Sequence, residues 1–337
     1  MSELHVVFGT GPLGRWTADA LLKMGKPVRM VNRSGKMDNP PGGVEIVASD
    51  AYDATSNIQI TKEAAAIYQC AQPHYHEWAK KFPPLQAAIL EAAVANGANL
   101  IVGDNLYMYG YFTGSLREDF PVQPNSKKGQ VRAEMAQQIL DAHKAGKVRA
   151  AIGRASDFFG PYDTALTSYA VLPAVQGKTV NLMGSSSQPH TFTYVKDFGT
   201  LLATLGTHDE ALGQVWFAPS SPPLTQAEFV KLMEAELGKP VKSQVGSPML
   251  MRLLGLFNKE IAETVEMMYE WTNPYVVDTS KAEKAFGLKP TPLAQALKET
   301  LEYSNEAFMG VNDAGWQFQK HAHKLRSGNI SNQRSLD

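Results

Sequence analysis

A glycine-rich loop near the start of the chain constrains the fold more than any other feature. The loop Gly9-Thr10-Gly11-Pro12-Leu13-Gly14 directly follows the apolar run Val6–Phe8 and opens a predicted helix at Leu13–Met24. In such a strand–loop–helix unit the first glycine makes the tight turn, the second lets the backbone approach a pyrophosphate, and the third packs helix against strand. The helix N-terminus then stabilises the phosphate charge. The spacing therefore predicts a dinucleotide site that includes all six loop residues.

Short apolar and β-branched runs alternate with helical stretches through the first half of the chain. The runs predicted as strands are Val6–Phe8, Pro27–Val31, Val44–Val47, Ala65–Tyr68, Asn99–Val102 and Arg149–Arg154. Helices are predicted between them, for example over Pro84–Asn96, and such alternation is typical of a parallel sheet. After about Asp163 shorter strand-like pieces are mixed with an amphipathic helix at Gln226–Leu237.

This pattern predicts an α/β fold with a Rossmann-type, doubly wound parallel sheet. Residues 1–163 would form the dinucleotide-binding domain, with its sheet completed by later segments of the chain. Residues 164–310 would form a smaller C-terminal α/β substrate lobe interleaved with that domain. Residues 311–337 would form a polar C-terminal tail.

The composition narrows the classes of partner. The chain has 337 residues, 32 basic and 33 acidic, for a formal net charge of −1. This balance gives no bulk attraction to nucleic acid or to an anionic membrane. No run is apolar enough to span a membrane and the N-terminus has no secretory pattern, so we expect a cytoplasmic protein. We expect a small-molecule substrate, no nucleic-acid or membrane partner, and a monomer or homodimer.

Neither the cysteine nor the histidines indicate a metal site. Cys70 is the one cysteine of the chain, which excludes an internal disulfide and a thiolate cage. The pairs His74/His76 and His321/His323 have no carboxylate or thiolate at ligand spacing. We therefore predict no metal.

The end of the second predicted strand bears on the choice of cofactor. It carries Asn32-Arg33-Ser34 where a site for NAD usually has an acid that binds the ribose 2′-hydroxyl. An amide, a guanidinium and a hydroxyl suit a 2′-phosphate instead. All three residues are thus candidate cofactor ligands, and NADP(H) is favoured over NAD(H). The alternative is that Arg33 only stacks on the adenine or is solvated, and binds no phosphate.

Several further motifs together resemble the extended branch of the short-chain dehydrogenase/reductase superfamily, the NAD-dependent epimerase/dehydratase family. They span residues 4 to about 305 and are listed here in chain order: Asp50-Ala51-Tyr52-Asp53, Gln69-Cys70-Ala71-Gln72, Met108-Tyr109-Gly110, Glu118 with Pro121 and Pro124, Arg154–Pro161, His190–Asp197, Asp278–Lys281 and Phe286–Pro290. The resemblance implies that Asp50, Ala51, Cys70, Ala71, Gln72 and Ala155 contact the cofactor and that Asp157 faces the substrate. These motifs are specific for the fold but not for the reaction.

The chain departs from this family at the catalytic residues. The family uses a Ser or Thr, a Tyr, and a Lys four residues after the Tyr. The corresponding positions here hold Asn105, Lys128 and Arg132, and no Tyr in the chain precedes a Lys by four residues. The resemblance implies that Lys128 and Arg132 face the cofactor.

Three interpretations of this departure stay open. In the first, Lys128 replaces the tyrosine as the proton donor, its surroundings bring its pKa toward neutrality, and Asn105 polarises the substrate carbonyl. Alternatively Tyr107, Tyr109 or Tyr75 supplies the proton. In the third interpretation the protein binds dinucleotide without catalysis.

For the function, we predict an NADP(H)-dependent oxidoreductase that acts on a small or aromatic carbonyl compound or alcohol. Tyr75 and Trp78 are candidates for the substrate pocket, although both could simply cover the edge of the sheet. One alternative is an NAD(P)-dependent sugar-nucleotide epimerase or dehydratase. Arg252 is the one arginine between residues 155 and 325, so the second lobe lacks the arginine cluster expected to bind a substrate diphosphate. The other alternative is a non-catalytic protein that senses NADP(H).

Overall fold

The computed structural model describes residues 3–257 and 259–313. Its strands are, in chain order, β1 (Leu4–Phe8), β2 (Val28–Asn32), β3 (Glu45–Ala48), β4 (Ala64–Gln69), β5 (Asn99–Asp104), β6 (Ser115–Leu116), β7 (Ala150–Arg154), β8 (Phe158–Phe159), β9 (Val180–Met183), β10 (Pro189–His190), β11 (Thr193–Tyr194), β12 (Val215–Phe217), β13 (Leu224–Thr225), β14 (Ser243–Gly246) and β15 (Val276–Val277). Its α-helices are α1 (Pro12–Lys23), α2 (Ala54–Ile60), α3 (Trp78–Asn96), α4 (Lys127–Lys144), α5 (Leu172–Val175), α6 (Val195–Leu205), α7 (Gln226–Leu237), α8 (Pro248–Gly255), α9 (Lys259–Val265), α10 (Tyr269–Thr272), α11 (Ser280–Phe286) and α12 (Leu293–Asp313).

A seven-stranded sheet forms the centre of the fold, with the order β12-β7-β5-β4-β1-β2-β3. Every neighbouring pair in this sheet is parallel. The strand order reverses between β1 and β4, which is the position where doubly wound sheets bind ligands, beyond the carboxyl ends of the strands. The predicted Rossmann-type sheet is confirmed, and the six strands predicted from the sequence lie within two residues of the observed bounds.

Helices cover both faces of this sheet because its strands are apolar on both faces. On one face Val7 of β1 packs in a cluster with Leu21 of α1 and Leu202 of α6. On the other face lies a second cluster that contains Ile89 of α3 and Ile139 of α4. All five side chains are fully buried. This packing fixes the carboxyl edge of the sheet, and with it the loops that follow each strand.

A smaller lobe is built from later segments. Its core contains Phe159, Val171, Phe192, Phe229 and Leu297, and includes side chains from α7 and α12. The chain returns from this lobe to the sheet at β12, which pairs with β7. Later segments thus complete the sheet, while the exact division of the chain into domains at residue 163 stays a prediction.

Helix α3 corrects one predicted boundary. It begins at Trp78, six residues before the predicted start at Pro84, and contains Pro83 and Pro84. Two prolines inside a helix remove two backbone donors. Trp78 and Phe82 are buried in the sheet-facing cluster of this helix, and their burial offsets that loss.

Two further expectations concern the chain as a whole. None of the helices in the described ranges is long and apolar enough to cross a membrane. The predicted polar tail begins at residue 311, within the observed helix α12. Its residues from 314 onward, which include the pair His321/His323, lie outside the described residues.

Candidate functional site

A cleft of about 1280 Å³ runs across the carboxyl ends of β1, β2, β4, β5 and β7. The glycine loop lines one end of it. Tyr169, Glu270 and Tyr275 from the smaller lobe line the other end, which we call the inner end. One cleft therefore joins the predicted dinucleotide site to side chains of both lobes.

The glycine loop has the geometry that the sequence predicts. Gly9 has a φ of +104°, and a Cβ there would lie 2.7 Å from the backbone nitrogen of Ala71. A Cβ at Gly14 would overlap the carbonyl oxygen of Gly9, so helix α1 packs directly against the end of β1. At Gly11, the N-cap of α1, a Cβ would meet no atom within 4 Å. The second glycine therefore borders open space at a helix N-terminus, as a bound pyrophosphate requires.

The turn after β2 uses Asn32 as a structural residue. Asn32 Nδ2 donates to Thr10 Oγ1 at 3.1 Å and to the Lys36 carbonyl at 2.8 Å, while Oδ1 accepts from Gly35 N at 2.7 Å. Ser34 Oγ also donates within this turn. Arg33 lines the cleft and is exposed, and its guanidinium has no hydrogen-bond or ion-pair partner among the described residues. Of the three predicted cofactor ligands here, Arg33 is the one left available.

Cys70 lies where β4 ends and lines the cleft. Burial raises the pKa of its thiol to about 12 even though Thr17 Oγ1 contacts the sulfur at 3.8 Å. The thiol stays protonated at neutral pH. Cys70 is therefore a small buried side chain at the cofactor end and not a nucleophile.

Asp104, the last residue of β5, holds two arginines together. Its carboxylate accepts from Arg132 Nε at 2.7 Å and from Arg154 Nε at 3.0 Å. Arg154 in turn donates to Tyr109 Oη at 2.7 Å. All four side chains are buried, so this network is shielded from solvent. Arg132 lines the cleft as well, at the position where the resemblance implies a cofactor contact.

The family resemblance implied that Lys128 faces the cofactor, but Lys128 does not line the cleft. It is 4% exposed and forms ion pairs with Glu263 of α9 and with Glu266, whose Oε1 lies 2.9 Å from Nζ. Its ammonium also lies 4.4 Å from the ring centroid of Tyr75. Among the described residues that line the cleft, Tyr75 is present and Lys128 is not. The physical reason is that two carboxylates of the smaller lobe hold the ammonium away from it.

Two of the three candidate tyrosines line the cleft. The hydroxyl oxygens of Tyr75 and Tyr107 lie 3.5 Å apart. Burial raises the pKa of both phenols, so both hold their protons at neutral pH. Tyr109, by contrast, is buried and does not line the cleft, and its hydroxyl accepts a hydrogen bond from Arg154 Nη1 at 2.7 Å.

Asn105 lies beside this tyrosine pair. Its Oδ1 accepts from the backbone nitrogen of Tyr107 at 3.2 Å. Its amide NH₂ has no partner among the described residues and is free to donate to a ligand oxygen.

The inner end of the cleft combines acids with aromatic side chains. Asp157 Oδ2 lies 3.0 Å from His190 Nε2, and the other ring nitrogen of His190 lies 3.2 Å from the Glu270 carbonyl. The His190 ring stacks on Trp271 with centroids 4.2 Å apart. Burial, followed by the charge of Asp157, raises the pKa of Glu270 well above its usual range. These surroundings favour the protonated form of the Glu270 carboxyl group in the ligand-free protein.

Most of the predicted site residues lie together. Those that line the cleft are Gly9, Thr10, Gly11, Pro12, Leu13, Asn32, Arg33, Asp50, Ala51, Cys70, Ala71, Gln72, Tyr75, Trp78, Asn105, Tyr107, Arg132, Ala155 and Asp157. Those that do not are Gly14, Ser34, Tyr109 and Lys128. Sequence reasoning missed Tyr169, Glu270 and Tyr275, because no motif marks them and they come from distant parts of the chain. Within the described ranges, no cluster of histidine, cysteine and carboxylate side chains is arranged to hold a metal ion.

The sheet order, the glycine loop and the two-lobed cleft define a dinucleotide-binding α/β protein of the extended Rossmann type. The family model for the NAD dependent epimerase/dehydratase family matches residues 6–216. The chain belongs to this family, whose members are nicotinamide-dependent enzymes.

Known proteins of similar sequence and structure agree with this assignment. A 3β-hydroxysteroid-dehydrogenase/decarboxylase (isoform 1) of Arabidopsis thaliana is 22% identical over 302 residues, which cover 77% of this chain and 67% of that protein. A UDP-glucuronic acid 4-epimerase from Bacillus cereus, solved with UDP-glucuronic acid and NAD, has a TM-score of 0.72 at 18% identity, over 90% of this chain and 99% of its own. A dTDP-glucose 4,6-dehydratase from Streptomyces venezuelae, solved with NAD bound, also has a TM-score of 0.72 at 18% identity, over 93% and 99%. At these identities the structural likeness establishes the fold.

Proposed function

We propose that this protein is an NADP(H)-dependent oxidoreductase that interconverts a small or aromatic carbonyl compound and its alcohol. The observation that supports this most is the single cleft that joins the glycine loop to Asn105, Tyr107 and Tyr75. Bound dinucleotide would supply or accept the hydride. The side chains named here would bind the substrate oxygen and hold the proton that this oxygen gains or loses.

The residues present fit a dinucleotide. The open space at Gly11 lies at the N-terminus of the twelve-residue helix α1, whose backbone donors would face the pyrophosphate. Asp50 and Ala51 line the cleft beyond the second and third strands, where the adenosine would lie. Arg132 and Gln72 would be near the nicotinamide half.

The tyrosine pair is the best supported source of the proton. Tyr107 and Tyr75 both line the cleft, and the 3.5 Å separation of their hydroxyl oxygens allows a proton to pass from Tyr75 to Tyr107. When the carbonyl carbon gains a hydride, its oxygen gains an electron pair and takes the proton of Tyr107. The phenolate of Tyr107 then regains a proton from Tyr75 and solvent. The amide of Asn105 would donate a hydrogen bond to the same substrate oxygen.

Preference for NADP(H) is supported by the charges at the end of β2. Arg33 is unpaired among the described residues, and no acid stands at the ribose position. Lys81 lines the same part of the cleft, where it pairs with Glu77 at 2.6 Å. A 2′-phosphate would neutralise the guanidinium through a charge-assisted hydrogen bond.

A sugar-nucleotide epimerase or dehydratase is the second candidate, because two of the similar structures carry such names. A diphosphate needs cationic side chains at the substrate end. The arginines and lysines that line the cleft within the described ranges are Arg33, Lys81 and Arg132, and Arg132 already binds Asp104. This distribution favours the oxidoreductase.

An assay of NADPH oxidation and product formation distinguishes the two candidate functions from the binding-only alternative. NADPH absorbance is followed after addition of a panel of aromatic and aliphatic aldehydes and ketones, and product alcohol is quantified. Loss of absorbance with matching alcohol supports the proposal. Conversion of a UDP-sugar with no net change in dinucleotide would support the epimerase, and tight NADPH binding without conversion of any compound would support a sensor.

A further inference from the structure

Glu270 is a buried carboxyl group that lines the cleft and has no ion-pair partner among the described residues. It is 2% exposed; Tyr269 Oη donates to its Oε1 at 3.4 Å, and Tyr275 also lies close enough to this carboxyl group to lower its pKa. A carboxyl group buried without a counterion either keeps its proton or acquires a cation from a ligand.

Tyr275 provides a second polar group at the same place. It lines the cleft and is 3% exposed, and its hydroxyl is outside hydrogen-bonding geometry with every described residue. It is nevertheless close enough to influence the proton affinity of Glu270. Buried hydroxyls are normally hydrogen-bonded, and this one interacts with the Glu270 carboxyl group, so the two groups are placed to meet one ligand together.

The remaining walls of the inner end are suited to a positive charge. Tyr107 and Tyr169 line it together with Tyr275, and aromatic faces attract cations. Tyr75 lines it too, but the Lys128 ammonium already lies 4.4 Å from the centroid of its ring. His190 is already paired with Asp157. The inner end thus contains acids and rings but, within the described ranges, no lysine or arginine.

From this geometry we infer that the inner end of the cleft binds an ammonium group of the substrate, with Glu270 as its carboxylate and the Tyr275 hydroxyl as a hydrogen-bond acceptor. The inference rests on the proposed function and names its substrate class, a carbonyl compound or alcohol that also carries a basic amine. On binding, the Glu270 carboxyl releases its proton to solvent and forms an ion pair with the ammonium. The titratable groups around Glu270 are Tyr75, Tyr107, Asp157, Tyr169, His190, Tyr269 and Tyr275.

Calorimetric titration of the NADP(H)-saturated protein tests this, with benzylammonium, benzyl alcohol and benzoate as probes of equal size and different charge. We expect benzylammonium to bind about ten-fold or more tightly than benzyl alcohol, and benzoate not to bind. The binding enthalpy of benzylammonium should vary with the ionisation enthalpy of the buffer, which reports release of about one proton per ammonium bound.

Variants identify the groups responsible. Glu270→Gln keeps the shape of a protonated carboxyl group, and should remove both the preference for benzylammonium and the proton release. Tyr275→Phe should weaken benzylammonium binding several-fold while proton release persists. Glu118→Gln is the matched control, since Glu118 is a partly buried acid whose pKa is also raised by burial but which does not line the cleft.

The outcomes separate this inference from the proposed function. Equal affinity for benzylammonium and benzyl alcohol, or tighter binding of benzoate, in a protein that binds NADP(H) and reduces a carbonyl would overturn the inference alone. Absence of NADP(H) binding would overturn the proposed function. If Glu270→Gln fails to fold, the charge preference and proton release of the unmodified protein still decide the matter.

Discussion

Lys128 Nζ lies 2.9 Å from Glu266 Oε1, so the side chain at the family's tyrosine position joins the dinucleotide-binding sheet to the smaller lobe. Glu263, from the adjoining helix α9, pairs with the same ammonium. This position therefore connects two parts of the fold, and Lys128 is not among the described residues that line the cleft.

Lys128→Met should affect stability more than catalysis. Loss of the two ion pairs, whose carboxylates are partly exposed, should lower the free energy of unfolding by about 1–2 kcal/mol. We expect kcat to stay within about three-fold, because a proton donor that touches the substrate usually contributes 10²–10⁴. Chemical denaturation and steady-state kinetics measure both, with the neighbouring exposed Lys127→Met as control. A kcat loss of about 100-fold with normal stability would make Lys128 the proton donor after all.

Tyr107→Phe should remove the proton source. We expect kcat to fall by about 10²–10⁴ with little change in NADP(H) affinity, since the ring remains and the hydroxyl is lost. Tyr75→Phe should have a smaller effect, because it acts on the substrate through Tyr107. Tyr111→Phe is the control, as Tyr111 is 62% exposed and does not line the cleft. Unchanged turnover in both Tyr107→Phe and Tyr75→Phe would contradict the assignment.

Gly11→Val should block the dinucleotide without disturbing the fold. Its side chain would project into open space, and the φ of −70° at Gly11 is accessible to any residue. We expect NADP(H) affinity to fall by about 100-fold, which equals about 2.7 kcal/mol. Gly42→Val, another glycine with open surroundings, should bind normally. Fluorescence titration measures the affinities, and undiminished binding to Gly11→Val would mean that the loop is not the site.

Arg33→Ala should erase most of the preference for NADP(H). Loss of one charge-assisted phosphate contact weakens binding by about ten- to a hundred-fold, whereas NAD(H) affinity should not change. Arg149→Ala provides an exposed arginine control far from the cleft, where the side chain pairs with Asp209. Equal affinity of the unmodified protein for both dinucleotides would refute the preference from the start.

Local sequence signals were sufficient for the sheet and for the cofactor end of the cleft. Gly9, Gly11 and Gly14 constrain backbone over six residues, and the β-branched runs on either side leave few alternatives to a parallel sheet. Tyr75 and Trp78, predicted from their place after the cofactor turn, also line the cleft, and so does Asp157, which the family resemblance implied.

The inner end could not be predicted in the same way. Glu270 and Tyr275 come from a segment more than 100 residues beyond Asp157, and only tertiary packing brings them together. The position of Lys128 depends on Glu263 and Glu266, which lie 135 and 138 residues away. An alignment by motif reports which residue replaces a family tyrosine, but not which carboxylates will pair with it. The start of helix α3 at Trp78 could not be predicted either, because prolines such as Pro83 and Pro84 normally indicate the start of a helix and not its interior.

Transfer of deuterium from the nicotinamide ring is the most direct measure of the central claim. The protein is incubated with NADPH that carries deuterium at one face of C4 and with a carbonyl substrate found in the panel, and the product alcohol is analysed by mass spectrometry. We predict stoichiometric deuterium at the former carbonyl carbon from one face of the ring only. Alcohol without deuterium from either labelled form, or NADPH that binds and is never oxidised by any carbonyl compound, would contradict the claim that this protein is an oxidoreductase.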